Sequence, residues 1–516
     1  MRESGILMPV FSLPSSYGIG SFSHEAYEFV DFLEKAGQSK WQILPLGETG
    51  FGNSPYASLS SFAGNPYFVS LEDLMEEGLL TYDEVNQFDW GSDVTKVDYG
   101  AMYNCKKAAL RIAWNRFREG NLDAFQAYIR KNEKWLNDYA LFMILKNLHG
   151  GKAWMDWEEE YKLRNEKALQ QVKSQNEDEY YFYCFIQYKF DEQWNALHAY
   201  AHEHNVDIIG DVPFFAALDS VDVWSEPEVF GIDQEGKPAY IAGTAPDAFS
   251  PTGQLWGNPV YDWKYLKKKN YDWWMERLAR NFDLYDVLRF DHFQGFISCY
   301  GVPYGEKTAE KGKVMPGPGK DFFTRFDKEF HIVKGKDKDG NLKLIAEDLG
   351  AFDEDRNALI EEEGIMSMKI LEYAFTTWNS IYMPHRLNQN CVIYTGNHDN
   401  APLKEWFLEL NEGTRNFARS YIHSENTDEG GFVWDMIREA YHSTADLCIV
   451  PLYDYLVKGE EARLNIPGSS AGNWEWRLEP DFLSEDLAHS IRKFAEIYAR
   501  IPDRSKKQAE EKKTAE

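Results

Sequence analysis

The 516-residue sequence predicts a parallel α/β fold of the barrel kind, and three observations carry that prediction. Strand-like runs alternate with helical periodicity in the N-terminal part, as in sheets whose crossovers are helices. The runs are apolar along their length, as strands buried on both faces are. Four of them, in chain order, deliver carboxylates: the run over 206–213 carries Asp211, that over 286–290 ends in Asp291, that over 342–346 ends in Glu347 and Asp348, and that over 391–396 ends in His398 and Asp399. Parallel strands of an α/β barrel end on one face, and active sites sit there. The pattern therefore gathers these acids, with Arg289, His292 and His398, at a single mouth.

Taken in order, the chain opens with the apolar Gly5-Ile6-Leu7-Met8 and a turn-rich segment over 12–20. A helix over 25–36 carries Phe29, Val30 and Leu33 on one face, and Gly37 ends it. A strand follows over 40–46, then a Gly/Ser/Pro loop reaching Tyr56. Residues 71–180 lack strand runs and read as a helical insertion, its charged part from Glu158 to Glu179 facing solvent. A helix over 182–204 returns to the fold with Ile186, Phe190, Trp194, Leu197 and Ala201 at three- and four-residue steps, and Asn205 closes it. A second insertion spans about 225–275. Its irregular part, 225–263, reads as a lid, because a long loop inside a compact unit is usually a binding segment. Gly253 and Gly257 permit movement there, and Phe249 and Trp256 are placed to stack on a ligand. Residues 305–340 read as a second polar loop. Its Asp337-x-Asp339-Gly340 is excluded as a calcium loop, since Gly335 stands at the first ligand position and no Glu at the twelfth. Residues 430–480 read as aromatic-rich loops, and the Lys/Glu/Ala-rich tail within 501–516 as frayed.

Composition narrows the function classes. The net charge of −29, from 55 basic and 84 acidic residues, argues against nucleic acid, which needs a basic face, and against an anionic membrane surface. Cys105, Cys184, Cys299, Cys391 and Cys448 are odd in number, widely spaced and without a C-x-x-C, which predicts reduced thiols and a cytoplasmic protein. No apolar run approaches membrane-spanning length. Aromatics make up 16% of residues, with 17 Trp and 30 Tyr. This surplus suits a sugar-binding cleft, where flat apolar faces carry polar tips.

Phosphate-loop, dinucleotide and H-E-x-x-H motifs are absent from the sequence. Paired carboxylates at a barrel mouth without a cofactor motif suggest glycosidic bond chemistry, in which an ionised nucleophile and a protonated acid stand about 5–5.5 Å apart if configuration is retained. Arg289, two residues before Asp291, projects to the same face and favours its ionised form, so Asp291 suits the nucleophile. Glu347, among apolar strand neighbours, suits the acid/base, with Asp348 as its competitor. His398 and Asp399 are then placed to hydrogen-bond sugar hydroxyls. A metal-dependent barrel hydrolase built on His292, His398, Asp211, Asp291 and Asp399 is the rival reading. Such sites usually carry closely spaced His pairs, and these five residues supply none.

From about Gly5 to Arg477 the sequence also resembles the 4-α-glucanotransferases, the amylomaltase or disproportionating-enzyme family. The motifs that carry the resemblance are Trp41-Gln42-Ile43-Leu44-Pro45-Leu46, Ser54-Pro55-Tyr56, Gly210-Asp211-Val212-Pro213, Gly253-Gln254-Leu255-Trp256-Gly257-Asn258-Pro259, Arg289-Phe290-Asp291-His292-Phe293, Ala346-Glu347-Asp348-Leu349-Gly350 and His398-Asp399-Asn400. The resemblance implies a (β/α)8 TIM barrel with inserted helical and loop subdomains, a single catalytic unit over 1–500. It implies a retaining transfer of α-1,4-glucan segments between maltooligosaccharides, with glucose as an acceptor and no cofactor or metal. Asp291 would be nucleophile, Glu347 acid/base and Asp399 transition-state stabiliser, helped by His398, Arg289, Asp211 and Tyr56, with Phe249 and Trp256 in the lid. Hydrolysis of α-1,4-glucans at the same site is the alternative outcome. Two departures stand out: Asn397 where the family usually has Thr, and Thr244-Ala245 where it usually has Val-Pro.

Overall fold

The computed structural model describes residues 2–50, 52–246, 250–350, 353–469 and 471–502. Phe249 and the tail from 503 onward lie outside these residues. Twelve strands are assigned among the described residues: β1 Glu3–Leu7, β2 Lys40–Gln42, β3 Asp207–Val212, β4 Tyr240–Thr244, β5 Gln254–Pro259, β6 Val287–Phe290, β7 Ser298–Pro303, β8 Lys313–Pro316, β9 Leu344–Ala346, β10 Met366–Ile370, β11 Cys391–Tyr394 and β12 Leu447–Pro451. Eight of them close a barrel in the order β1-β2-β3-β6-β9-β10-β11-β12. Every pairing around it is parallel. With α-helices between successive strands, save β10 and β11, which short 3-10 turns join, this is the expected (β/α)8 barrel.

The barrel strands are buried nearly throughout, as their apolar sequences require. At the N-terminal end, Lys40 joins the starts of three strands, its Nζ lying 2.7 Å from Asp207 and 3.1 Å from Glu3. Inside, the Tyr394 hydroxyl donates to Gln42 Oε1 across the barrel at 2.8 Å. Between β2 and β3 the chain is helical. The helix Glu177–Glu203 returns it to the barrel and buries Ile186, Phe190, Trp194, Leu197 and Ala201. It is one turn longer at its start than its periodicity indicates, and Asn205 closes it in the left-handed region, at φ 59°.

The segments read as irregular loops are the main correction. β4 and β5, inside 225–263, pair antiparallel and join β7 and β8 in a sheet of order β5-β4-β7-β8. The region over 305–340 contributes β8 and the helix Lys320–Phe330, which buries Phe322, Phe323 and Phe326. Glycines and prolines masked these elements, because Pro316-Gly317-Pro318-Gly319 is a turn between two ordered elements. The residues over 430–480 likewise hold a helix, Glu429–His442, and the closing strand β12. No helix among the described residues is long and apolar enough to cross a membrane.

β3 passes close to Tyr285, a buried residue whose hydroxyl accepts from the Leu46 amide at 3.3 Å. A Cβ on Gly210 would fall into the Tyr285 ring. Gly210→Ala is therefore expected to destabilise the protein by about 1–3 kcal/mol through overpacking, read as a lower denaturant midpoint with unchanged slope. An unchanged midpoint would mean that the ring moves aside freely.

Candidate active site

Strand register assembles the site. Asp211 on β3 pairs with Arg289 on β6, and Arg289 pairs with Ile345 on β9. Because side chains alternate along a strand, Asp291 and Glu347 lie one inward-facing layer above Arg289 and Ile345. The Arg289 guanidinium, 1% exposed, donates through Nη1 to both oxygens of Asp211 at 2.7 Å and to Asp291 Oδ1 at 2.9 Å. Its Nη2 lies 3.9 Å from Glu347 Oε2. A buried charge is stable only when it is paired and hydrogen-bonded, and the two aspartates supply that pairing.

Glu347 lies beside this cluster without a direct charge-assisted bond to it. Its Oε2 accepts the His292 backbone N–H at 2.7 Å. That amide is aimed by a left-handed backbone at His292, φ 44°, a conformation that costs energy in a residue with a side chain. Burial, and then the charge of Asp291, push the Glu347 carboxyl up to about 8. The His292 imidazole is held below its ordinary range by burial, and the Trp256 ring meets it edge-on at 5.1 Å. Asp348, the sequence competitor of Glu347, turns away. It accepts from the Met368 amide at 2.8 Å and from Lys369 Nζ at 2.9 Å, both on β10.

The second half of the site comes from the loop after β2 and the loop after β11. The Tyr56 hydroxyl donates to Asp211 Oδ2 at 2.7 Å and lies 2.8 Å from His398 Nε2. Burial raises the Tyr56 hydroxyl well above its ordinary range. Its one proton goes to the carboxylate, which can only accept, so the network assigns the proton on His398 to Nε2. That nitrogen also faces Asp399 Oδ2 at 3.4 Å. The other Asp399 oxygen accepts from Asn465 Nδ2 at 2.6 Å. Asn397 turns its side chain into its own loop, where Oδ1 accepts the Asp399 amide at 2.9 Å. The departure at this position therefore shapes the Asp399 turn and does not project toward a ligand.

An open cavity of about 230 Å³ is lined by Tyr56, Pro213, Phe215, Trp256, Asn258, Asp291, His292 and Glu347. The structure thus brings together Tyr56, Asp211, Arg289, Asp291, Glu347, His398 and Asp399, with Trp256 on the wall. Among the described residues, the five proposed ligands of the rival metal reading do not converge on a metal-sized point. A guanidinium occupies the space between two of them.

Sequence reasoning gave no role to Asn465, Asn258, Trp474 or Asp454. Trp474 packs at 5.9 Å on Tyr56 and 6.0 Å on His398, and its left-handed backbone, φ 63°, is the kind of strain that collects at functional sites. Asp454 is buried and accepts from Thr395 Oγ1 at 2.6 Å and the Leu403 amide at 2.8 Å, bracketing the loop that carries His398 and Asp399. The aromatic richness of residues 430–480 was the available signal for Trp474. Asn258 lies within the Gly253–Pro259 motif and Asp454 closes the apolar run over 447–453, so both left a signal; Asn465 left none.

The raised carboxyl has a consequence for stability. The folded protein holds the Glu347 proton up to about pH 8, whereas the ordinary value is 4.5. Between these limits unfolding releases a proton, so stability falls as pH rises through the window. Glu347→Gln removes this liability. The variant is expected to gain stability over the parent above about pH 4.5, with the difference growing until about pH 8, in thermal unfolding followed across pH. Parallel curves would show that burial does not hold the proton.

Comparison with known proteins identifies the family. The family model described as 4-alpha-glucanotransferase matches residues 8–484. The 4-alpha-glucanotransferase of Clostridium butyricum is 42% identical over 495 residues, covering 96% of this chain and 100% of the relative. That of Aquifex aeolicus is 40% identical over 502 residues, covering 97% and 100%. Among solved structures, the amylomaltase from Streptococcus agalactiae in complex with acarbose superposes with a TM-score of 0.92 at 35% identity, covering 97% of this chain and 100% of that one. By sequence over nearly its whole length, and by fold, the chain belongs to the 4-alpha-glucanotransferase family and is a glycosyl-transferring enzyme.

Proposed function

We propose that this 4-alpha-glucanotransferase moves α-1,4-glucan segments by a retaining double displacement at the Asp291–Glu347 cavity, within one catalytic unit spanning 1–500. The observation that carries the reading is the pair of unlike carboxyls on one cavity wall. Asp291 is bonded to a buried guanidinium, and Glu347 is held protonated to about pH 8. One environment stabilises negative charge and the other withholds it, the division of labour that glycosidic cleavage requires.

In the first step an Asp291 oxygen attacks the anomeric carbon while Glu347 gives its proton to the departing glycosidic oxygen. The shortened glucan leaves with a new 4-hydroxyl, and the transferred segment stays ester-linked to Asp291. In the second step the deprotonated Glu347 takes the proton of an acceptor's 4-hydroxyl, whose oxygen displaces Asp291. Two inversions restore the α configuration. Asp399, beside His398 and Asn465, grips the sugar hydroxyls as positive charge develops on the ring. Arg289, Asp211 and Tyr56 hold the floor of that subsite, and Trp256 covers the sugar. The acceptor is another maltooligosaccharide or glucose. The buried, unpaired cysteines suit a reducing cytoplasm.

Incubation with maltotriose alone tests the reading. Glucose together with maltopentaose and longer chains is the expected product set. Glucose and maltose with nothing longer would mean that water is the acceptor. Asp291→Asn and Glu347→Gln are each expected to lower transfer by about 10⁴-fold or more, as removal of a covalent catalytic group does. Near-full activity in either would overturn the assignment.

The lid departure bears on water access. β4 ends at Thr244, and Ala245 and Pro246 follow it exposed. Where the family usually fixes φ with a proline, Ala245 leaves the strand exit freer, and a freer cover admits more water to the glycosyl-enzyme. Ala245→Pro is expected to lower the ratio of hydrolysis to transfer, measured as reducing ends released per glucan transferred. An unchanged ratio would remove the lid from the explanation.

A further inference from the structure

We propose that His198, His202 and Asp286 form a binding site for one divalent transition-metal ion of the zinc type, at the end of the barrel opposite the catalytic cavity. His198 and His202 stand four residues apart on the helix Glu177–Glu203, a spacing that sets two imidazoles on one helical face. Asp286 precedes β6 and faces them. His198 Nε2 lies 3.0 Å from Asp286 Oδ2, and His202 Nε2 lies 2.8 Å from Asp286 Oδ1. The three ligand atoms all lie within 4.8 Å of one another. The two ring centroids are 4.4 Å apart, so both imidazoles converge, each through the same nitrogen, on a single carboxylate. One ion pair would need only one of them.

The surroundings fix these donors in advance. Asp286 Oδ2 also accepts the Ile208 amide of β3 at 2.8 Å. The His198 ring stacks on Trp194 at 6.0 Å, and the Trp194 indole N–H is itself held by the Leu284 carbonyl at 3.0 Å. Such outer partners set ring orientation and ligand basicity in metal sites. The neighbouring cation, Lys343, donates to the Asp286 backbone carbonyl at 3.2 Å and leaves the carboxylate oxygens to the imidazoles. Two imidazole nitrogens and one carboxylate oxygen suit zinc, cobalt or nickel. Magnesium and calcium prefer oxygen ligands throughout. Asp286 and His198 are largely covered while the His202 side chain is 47% exposed, so solvent can complete the coordination sphere from the outer side. A metal there would clamp the last turn of the returning helix to the starts of β3 and β6.

The test is calorimetric titration of the chelator-treated, full-length protein with Zn²⁺ alone, beside His198→Ala and His202→Ala. The proposal expects one saturable site per chain and an unfolding temperature that rises with Zn²⁺. Each variant should weaken uptake by more than the roughly 10–100-fold cost of losing an outer-sphere partner and should lose the thermal shift. Both variants should keep the parent's transfer activity, which shows that they are folded. Absence of saturable uptake by the parent would overturn the site, and so would uptake of equal affinity and stoichiometry in parent and variants, which would locate the ion elsewhere.

Discussion

The site depends on one buried cation. Arg289 is sealed from solvent inside the barrel, and a charge in that position is tolerable only with anions against it. Asp211 answers it with both oxygens and Asp291 with one. Burial pushes the Asp211 carboxyl above its ordinary range while Arg289 pulls it back. The cluster then carries more negative than positive charge. A third carboxylate beside it would add repulsion, which is the second reason, after burial, that Glu347 keeps its proton. Asp291 thus owes its counter-ion to the guanidinium, whereas Glu347 keeps its proton through burial and the Asp291 charge, against the pull of the same Arg289 3.9 Å away.

Barrel register turns that electrostatic arrangement into geometry. Asp211, Arg289 and Ile345 share a level because β3, β6 and β9 pair in that register, and the next inward layer is the one at which the strands end. A one-residue slip in β6 would send both Arg289 and Asp291 to the outer face. The inserted sheet serves the same cavity. β4 and β5 leave the barrel after β3, and β7 and β8 leave it after β6, so the sheet grows from the two strands that supply Asp211, Arg289 and Asp291. Trp256 and Asn258 on β5 therefore come down beside Asp291 as walls. A transferase needs such walls, since its competitor for the glycosyl-enzyme is water.

Much of this was legible in the sequence, and the reason is physical. A charge at the end of an apolar run is costly unless it faces an open site, so acid-tipped strands stand out. That signal found β3, β6, β9 and β11 and, through them, Asp211, Asp291, Glu347 and Asp399. The signal was not used everywhere it occurs: β10 and β12, Met366–Ile370 and Leu447–Pro451, went unread, although the buried Glu372 and Asp454 follow them by two and three residues and barrel closure requires both strands. Asp348 and Glu347 are neighbours in sequence and differ only in which strand their side chains face, a distinction that exists only after β9 and β10 pair. Asn465 reaches Asp399 from 66 residues away. No local pattern announces such a contact.

The two ends of β6 divide the labour of the molecule. Asp286 and Asp291 bracket the same strand, five residues apart, a separation of about 17 Å at the usual rise per residue. The β3–β6–β9 register pins the strand's position on both sides, so a cross-link at the N-terminal end leaves in place the register that sets Arg289 and Asp291. The cost of burying that cation in turn falls on the C-terminal layer, where the aspartates that meet it are also residues of the proposed sugar site. In β6 the same alternation that buries Arg289 exposes Asp291 to the cavity, so stability and chemistry are set by successive inward positions of one strand.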